Sequence, residues 1–142
     1  MDESPAKSCP VIGTYGSGER VSVLLPLPLP GPYDYRVGEG MVLADGDVVR
    51  VPLGQRSITG VVWGAGQGVA DQRVAAAKLK TVHEKHQTPP LPGVSRQFVD
   101  WVADYTLSPP GAVLKMVISV PAALEPPKTV TAYALDPSAA EI

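Results

Sequence analysis

The sequence predicts an α+β domain: a small antiparallel sheet or partly open barrel, followed by a C-terminal helix pair. Three observations carry this. From Val21 to His83, short apolar runs alternate with Gly, Pro and Asp turn chemistry. From Val94 the apolar spacing becomes helical. Sixteen prolines and fourteen glycines in 142 residues favour turns over long helices. An apolar fraction of 44% supports one packed domain with room for a small appendage.

Residues 1–20 are rich in Ser, Gly and charge without a period and read as a disordered leader. Val21–Leu25 is an apolar strand that runs into LPLPLP, and Tyr33–Val37 is a second strand. Met41–Leu43 is a short apolar piece between turns at Gly38–Gly40 and Asp45–Asp47. Val48–Leu53 alternates, Gly54–Arg56 is a hairpin loop, and Ser57–Trp63 is the return strand, with Gly60 as a candidate bulge. Gly64–Ala77 is a Gly-rich, then Ala-rich excursion, and Leu79–His83 is a last strand closing a β-rich unit over 21–88.

The helix pair occupies 89–124. Phe98, Trp101, Val102 and Tyr105 fall at i, i+3, i+4 and i+7, which predicts a helix that packs this stripe into the core. Ser108 is placed to cap a second helix with Pro109 at its first position. Ala112–Val120, apolar nearly all round, suits burial on most sides, and Pro121 stops it. Residues 125–142 read as a linker and one more strand, Thr129–Leu135, with no partner segment.

The charge and cysteine content narrow the function classes. A net charge of −2 is unlike proteins that hold nucleic acid by neutralising many phosphates, so any such binding is local and uses few ionic contacts. The single Cys9 excludes an internal disulfide and a cysteine-based metal site, which fits a reducing compartment. No apolar run approaches the ~20 residues of a bilayer span, and the leader lacks signal-peptide character, so a cytoplasmic protein is expected.

LLPLPLPGPYDY, residues 24–35, is the most distinctive stretch. In an extended chain Pro26, Pro28 and Pro30 remove donors from one edge, which predicts a stiff edge strand. It delivers Asp34 between Tyr33 and Tyr35. Two readings stand side by side: the tyrosines pack on one sheet face with Asp34 solvated on the other, or rings and carboxylate form a site for a nucleotide end. The prolines also fit a proline-binding module.

Other motifs carry less. Gly64-Ala65-Gly66-Gln67-Gly68 looks like a dinucleotide fingerprint, but Val69 occupies the small-residue position and no βαβ unit surrounds it. His83 and His86 lack a third ligand. Ser57, Ser95 and Ser108 lack nucleophile-elbow context, and the acids are scattered.

In order, VSVLLPLPLPGPYDYRVGEG, GDVVRVPLGQRSITGVVWG, KLKTV and FVDWVADYTLSPPGAVLKMVI resemble the N-terminal part of the PriA family of bacterial replication-restart helicases, over about Val21 to Val120. The resemblance implies a 3′ DNA-binding domain that captures the 3′-OH end of the nascent leading strand at an abandoned fork. It implies that Thr129–Leu135 opens a truncated winged-helix domain. Full-length members use ATP and zinc, and neither cofactor is expected for this chain. DNA with a free 3′ end is the implied partner. Other primosome proteins and single-stranded-DNA-binding protein are reached through the longer protein, and no membrane is involved.

The resemblance assigns the terminal nucleotide to Tyr33, Asp34, Tyr35, Gly54 and Lys80. Tyr33 supplies a stacking face that tolerates any base. The Asp34 carboxylate accepts from the terminal hydroxyl and repels a 3′-phosphate. Gly54 permits close backbone approach, Lys80 meets the adjacent phosphate, and Tyr35 is the more structural ring. Leu53 stands where the family usually has phenylalanine. Competing expectations are a protein-interaction β-module that recruits primosome partners and a nucleotide-dependent enzyme using the Gly64–Gly68 loop.

Overall fold

A computed structural model describes residues 12–66 and 78–134. The first part of the leader with Cys9, the excursion from Gln67 to Ala77, and the end of the chain from Leu135 lie outside the described residues. The described strands are β1 (Thr14–Tyr15), β2 (Arg20–Leu24), β3 (Tyr33–Arg36), β4 (Leu43–Ala44), β5 (Val48–Leu53), β6 (Arg56–Ala65) and β7 (Glu84–Lys85). Two helices follow, α1 (Gly93–Thr106) and α2 (Pro110–Val117), then a short 3-10 turn at Pro121–Leu124. The expected α+β class is what the structure shows: two antiparallel sheets, not closed into a barrel, and a helix pair.

The larger sheet has the order β3-β2-β6-β5-β7, and β1 pairs with β4 separately. Period-2 alternation gives the sheet two buried faces. Val21, Val23, Tyr35, Val49, Val51 and Val62 face an enclosed core with Leu25, Val37, Leu43 and Val82. Leu24, Val48 and Val61 face the other way and meet Val99, Ala103, Val113 and Leu114 of the helices. The β2–β6 register shifts between Ser22 and Val23, so the irregularity falls opposite Trp63, not at Gly60. Gly60 keeps its place in the β5–β6 ladder, and a Cβ there would press on Val23, Leu24 and Leu25.

The expected last strand is replaced by a bridging segment. Arg36 N donates to Lys80 O (2.9 Å) and Val82 N to Arg36 O (2.9 Å), which ties the segment to β3. His83 N then donates to Arg50 O and His86 N to Val48 O (both 2.9 Å), which ties it to β5. One stretch of chain therefore touches two distant strands of the sheet without closing it into a barrel. Regular pairing is limited to Glu84–Lys85 because the segment changes partners midway.

The leader boundary also moves. Thr14–Tyr15 pairs with Leu43–Ala44, so described residues before Arg20 carry structure. Tyr15 Oη donates to Asp45 Oδ1 and Gly13 N to Asp45 Oδ2 (both 2.9 Å). A single carboxylate thus pins residues whose composition alone resembles a disordered tail.

The aromatic stripe of α1 faces solvent, contrary to expectation. Phe98, Trp101 and Tyr105 are 57, 60 and 77% exposed, while Val99 and Ala103 are buried. The rings stack on one another, Phe98–Trp101 at 6.3 Å and Trp101–Tyr105 at 5.3 Å between centroids. The helix carries two apolar faces, and the one with Val99 and Ala103 joins Val113 and Leu114 of α2 and Leu24, Val48 and Val61 of the sheet in one cluster. Trp63 Nε1 donates to Asp100 Oδ1 (3.1 Å), which fixes the helix rotation. In α2, Pro109 rather than Ser108 is the N-cap, and Met116, Val117 and Val120 are exposed, so this segment is buried on one side only. Residues 129–134 form no strand, which corrects the expected Thr129–Leu135 strand within the described residues.

The Pro-Leu run is likewise not a strand. Leu27 N donates to Leu25 O (2.8 Å) and Leu29 N to Leu27 O (2.7 Å), two successive i→i+2 turns centred on Pro26 and Pro28. The fixed proline φ is close to that of the inverse γ-turn, so each ring presets its turn. The leucine donors are satisfied locally and the segment needs no partner strand. Its carbonyls receive α2: a Cβ on Gly111 would collide with the backbone oxygens of Leu25 and Leu27. Gly111→Ala should therefore destabilise the domain by roughly 1–3 kcal/mol in a denaturant melt. Gly64→Ala, with open space around it, should shift the midpoint far less.

Candidate nucleic-acid interface

A cleft of about 180 Å³ opens where β3, the end of β5 and the bridging segment meet. It is lined by Tyr33, Asp34, Tyr35, Pro52, Leu53, Lys78, Leu79 and Lys80. The residues predicted at 33, 34, 35 and 80 are thus brought together from positions far apart in the chain. Gly54 adjoins the lining at the hairpin turn. Its φ of +62° is the reason for glycine there, since a Cβ would meet nothing.

Tyr33 and Tyr35 share one face of β3, as spacing by two requires. Tyr35 is buried in the enclosed core and its Oη donates to Pro52 O (3.0 Å), which braces β3 against β5. Burial first, and the neighbouring Tyr33 second, push its pKa up to about 12. Tyr33 is half-buried at the edge of the same core. Tyr35 is thus a core ring, whereas Tyr33 keeps part of its surface exposed.

Asp34 lies across β2 from Ser22, on the opposite face. Its carboxylate accepts from Arg20 Nε (2.6 Å) and Ser22 Oγ (2.9 Å), and its side chain is only 1% exposed. The sequence readings had it solvated or open to a ligand. Instead the strand register sets a guanidinium and a hydroxyl beside it, and the pairing satisfies what burial would otherwise penalise.

Lys78 is a lining residue that sequence reasoning missed. The signal was present: in an extended chain it lies two residues from Lys80 and therefore on the same side. Two cations, a half-buried ring and an apolar floor of Leu53 and Leu79 form a small cleft in a chain of net charge −2. Such a cleft suits a flat group carrying one phosphate. Gly64 and Ala65 of the glycine motif end in β6 pairing and Gly66 N donates to Arg20 O (3.1 Å), while Gln67 and Gly68 lie outside the described residues. Among the described residues, no helix is long and apolar enough to cross a membrane.

A two-faced β-sheet with an edge cleft and a helix pair is here a DNA-binding domain: the profile of the 3′DNA-binding domain (3′BD) of PriA matches residues 22–119, and the chain belongs to that family. It is similar to the replication restart protein PriA of Rickettsia felis, with 33% identity over 107 residues, covering 75% of this chain and 16% of that protein. The Rickettsia conorii protein of the same name is 26% identical over 106 residues, and that of Rickettsia prowazekii 29% over 101. The chain thus spans about a sixth of the length of these relatives.

Tyr15, raised to about 12 chiefly by burial and then by its bond to Asp45, behaves like Tyr35. In the unfolded chain both lose their protons near pH 10. Between pH 10 and 12 the folded state holds more protons, so stability falls as pH rises through that window. A phenolate absorbance titration should show two tyrosines resisting ionisation to about pH 12, and Tyr35→Phe should remove one of them.

Proposed function

We propose that this chain is the end-capturing part of a replication-restart 3′-to-5′ DNA helicase. It takes the 3′-OH terminus of a nascent leading strand at a stalled fork, without strong base specificity. The observation that carries this is that one cleft brings Tyr33, Asp34, Lys78 and Lys80 together. The cleft is far too small for a duplex and fits one terminal nucleotide. Tyr33 stacks on the base, an interaction worth roughly 1–3 kcal/mol that tolerates every base. Lys80, with Lys78 beside it, meets the phosphate on its 5′ side. The catalytic core, with its ATP and zinc, belongs to the rest of such a protein, and this chain is its non-catalytic part. Contacts with other primosome proteins and single-stranded-DNA-binding protein, and residence at forks in the cytoplasm, follow from the same reading.

The Asp34 role takes a specific form here. The terminal hydroxyl replaces Ser22 as an O–H donor to the carboxylate, while Arg20 keeps its place. With Arg20 at 2.6 Å offsetting the charge, a 3′-phosphate is disfavoured mainly by losing a donor, and less by repulsion. The exposed ring row of α1 favours a second reading, a protein-interaction β-module, which predicts no preference between DNA ends.

A fluorescence titration with one oligonucleotide ending in 3′-OH or 3′-phosphate separates these readings. End capture requires tighter binding of the 3′-OH form, and equal affinities would reject it. Asp34→Asn should weaken the 3′-OH form by about tenfold or more, the scale of a hydrogen bond to a charged group, and narrow the gap between ends. Equal losses for both ends would remove the carboxylate from the recognition step. Lys80→Ala should lower the salt slope of binding by about 0.7, the single-strand value for one phosphate.

A further inference from the structure

A second cleft, of about 420 Å³, continues the first along the seam between β3 and the bridging segment. The first cleft takes residues 33–35 and 78–80; the second takes Arg36, Val37, Gly38 and Glu39 from one run and Thr81 from the other. Ser17 and Gly18 close its third side. The seam is continuous, because Arg36 N donates to Lys80 O and Arg36 forms a parallel bridge with Thr81. Two donors at the rim are already used: Ser17 Oγ donates to Gly38 O (3.2 Å) and Gly18 N to Val37 O (3.0 Å). Arg36 is the cation among the lining residues and Glu39 the acid.

We infer that this second cleft holds the sugar-phosphate backbone of the strand leaving the first, with Arg36 on the second phosphate from the 3′ end. The inference rests on the end-capture reading of the first cleft. Arg36 is two residues beyond Asp34 on the same face of β3, about 7 Å along a strand that rises ~3.3 Å per residue, so it lies one step further along the seam than the carboxylate. Guanidinium suits the task, since its five N–H donors allow it to grip a phosphate and keep an interaction within the protein at the same time. Glu39 repels phosphate from the Gly38 end of the cleft, which confines the backbone to the Arg36–Thr81 side. The domain therefore reads a short single-stranded 3′ tail, and its affinity depends on tail length.

Titrating the whole chain with dTpdT, which has one phosphate, and dTpdTpdT, which has two, tests this. The wild-type chain should bind the trinucleotide several-fold more tightly. Arg36→Ala should abolish that gain, leave dTpdT unchanged, and lower the trinucleotide salt slope by about 0.7. Arg36→Lys, which keeps a cation, should restore part of the gain. Equal losses for both oligonucleotides would mean a merely structural role, and unchanged binding of both would mean no contact; either overturns the inference. If the wild-type chain shows no preference for 3′-OH over 3′-phosphate, the end-capture reading fails and this falls with it. If that preference persists without a length-dependent Arg36 effect, only the second cleft is rejected.

Discussion

Strand β2 is the element on which the domain depends. Arg20–Leu24 pairs with β3 on one side and β6 on the other. Its valines face the enclosed core and Leu24 faces the helices, so one strand joins both apolar clusters. Arg20 and Ser22 hold Asp34, and the continuation of the strand seats Gly111 of α2. A register slip by one residue would exchange the two cores and strand Asp34 without partners.

The same register shapes the chemistry of the cleft. Because Tyr33 and Tyr35 point one way and Asp34 the other, the rings and the carboxylate lie on opposite faces of β3, and the carboxylate is held against Arg20 and Ser22. A buried carboxylate beside a guanidinium is a weaker repeller of anions than a solvated one, but a better-positioned hydrogen-bond acceptor. Under the proposed end capture, selectivity for an end lies in whether a donor is offered. Lys78 and Lys80 line this cleft in a domain whose net charge is −2.

Much of the sheet was legible in the sequence. Val48–Leu53 folds as read, since its period-2 alternation sorts side chains between two faces. The cleft residues Tyr33, Asp34, Tyr35 and Lys80 were legible through resemblance, and Lys78 could have been added from spacing alone. What misled was apolar character without direction. The stripe of α1 is real, yet a helix with two apolar faces does not say which one the sheet receives. Val99 and Ala103 are buried in the cluster with α2 and the sheet, and the large rings are left outside to stack on one another.

By itself the sequence determined the α+β class, the β5–β6 hairpin with its glycine turn, and the helix pair that follows the sheet. These follow from local rules: alternation, proline φ, glycine at positive φ. Only the tertiary structure decided that the Pro-Leu run turns on itself, that Asp45 fastens Tyr15, and that Asp34 is buried against Arg20. The physical reason is common to the two carboxylates. A buried polar group must find a partner, and that partner sits wherever strand register and chain reversal bring it, at separations no local pattern encodes.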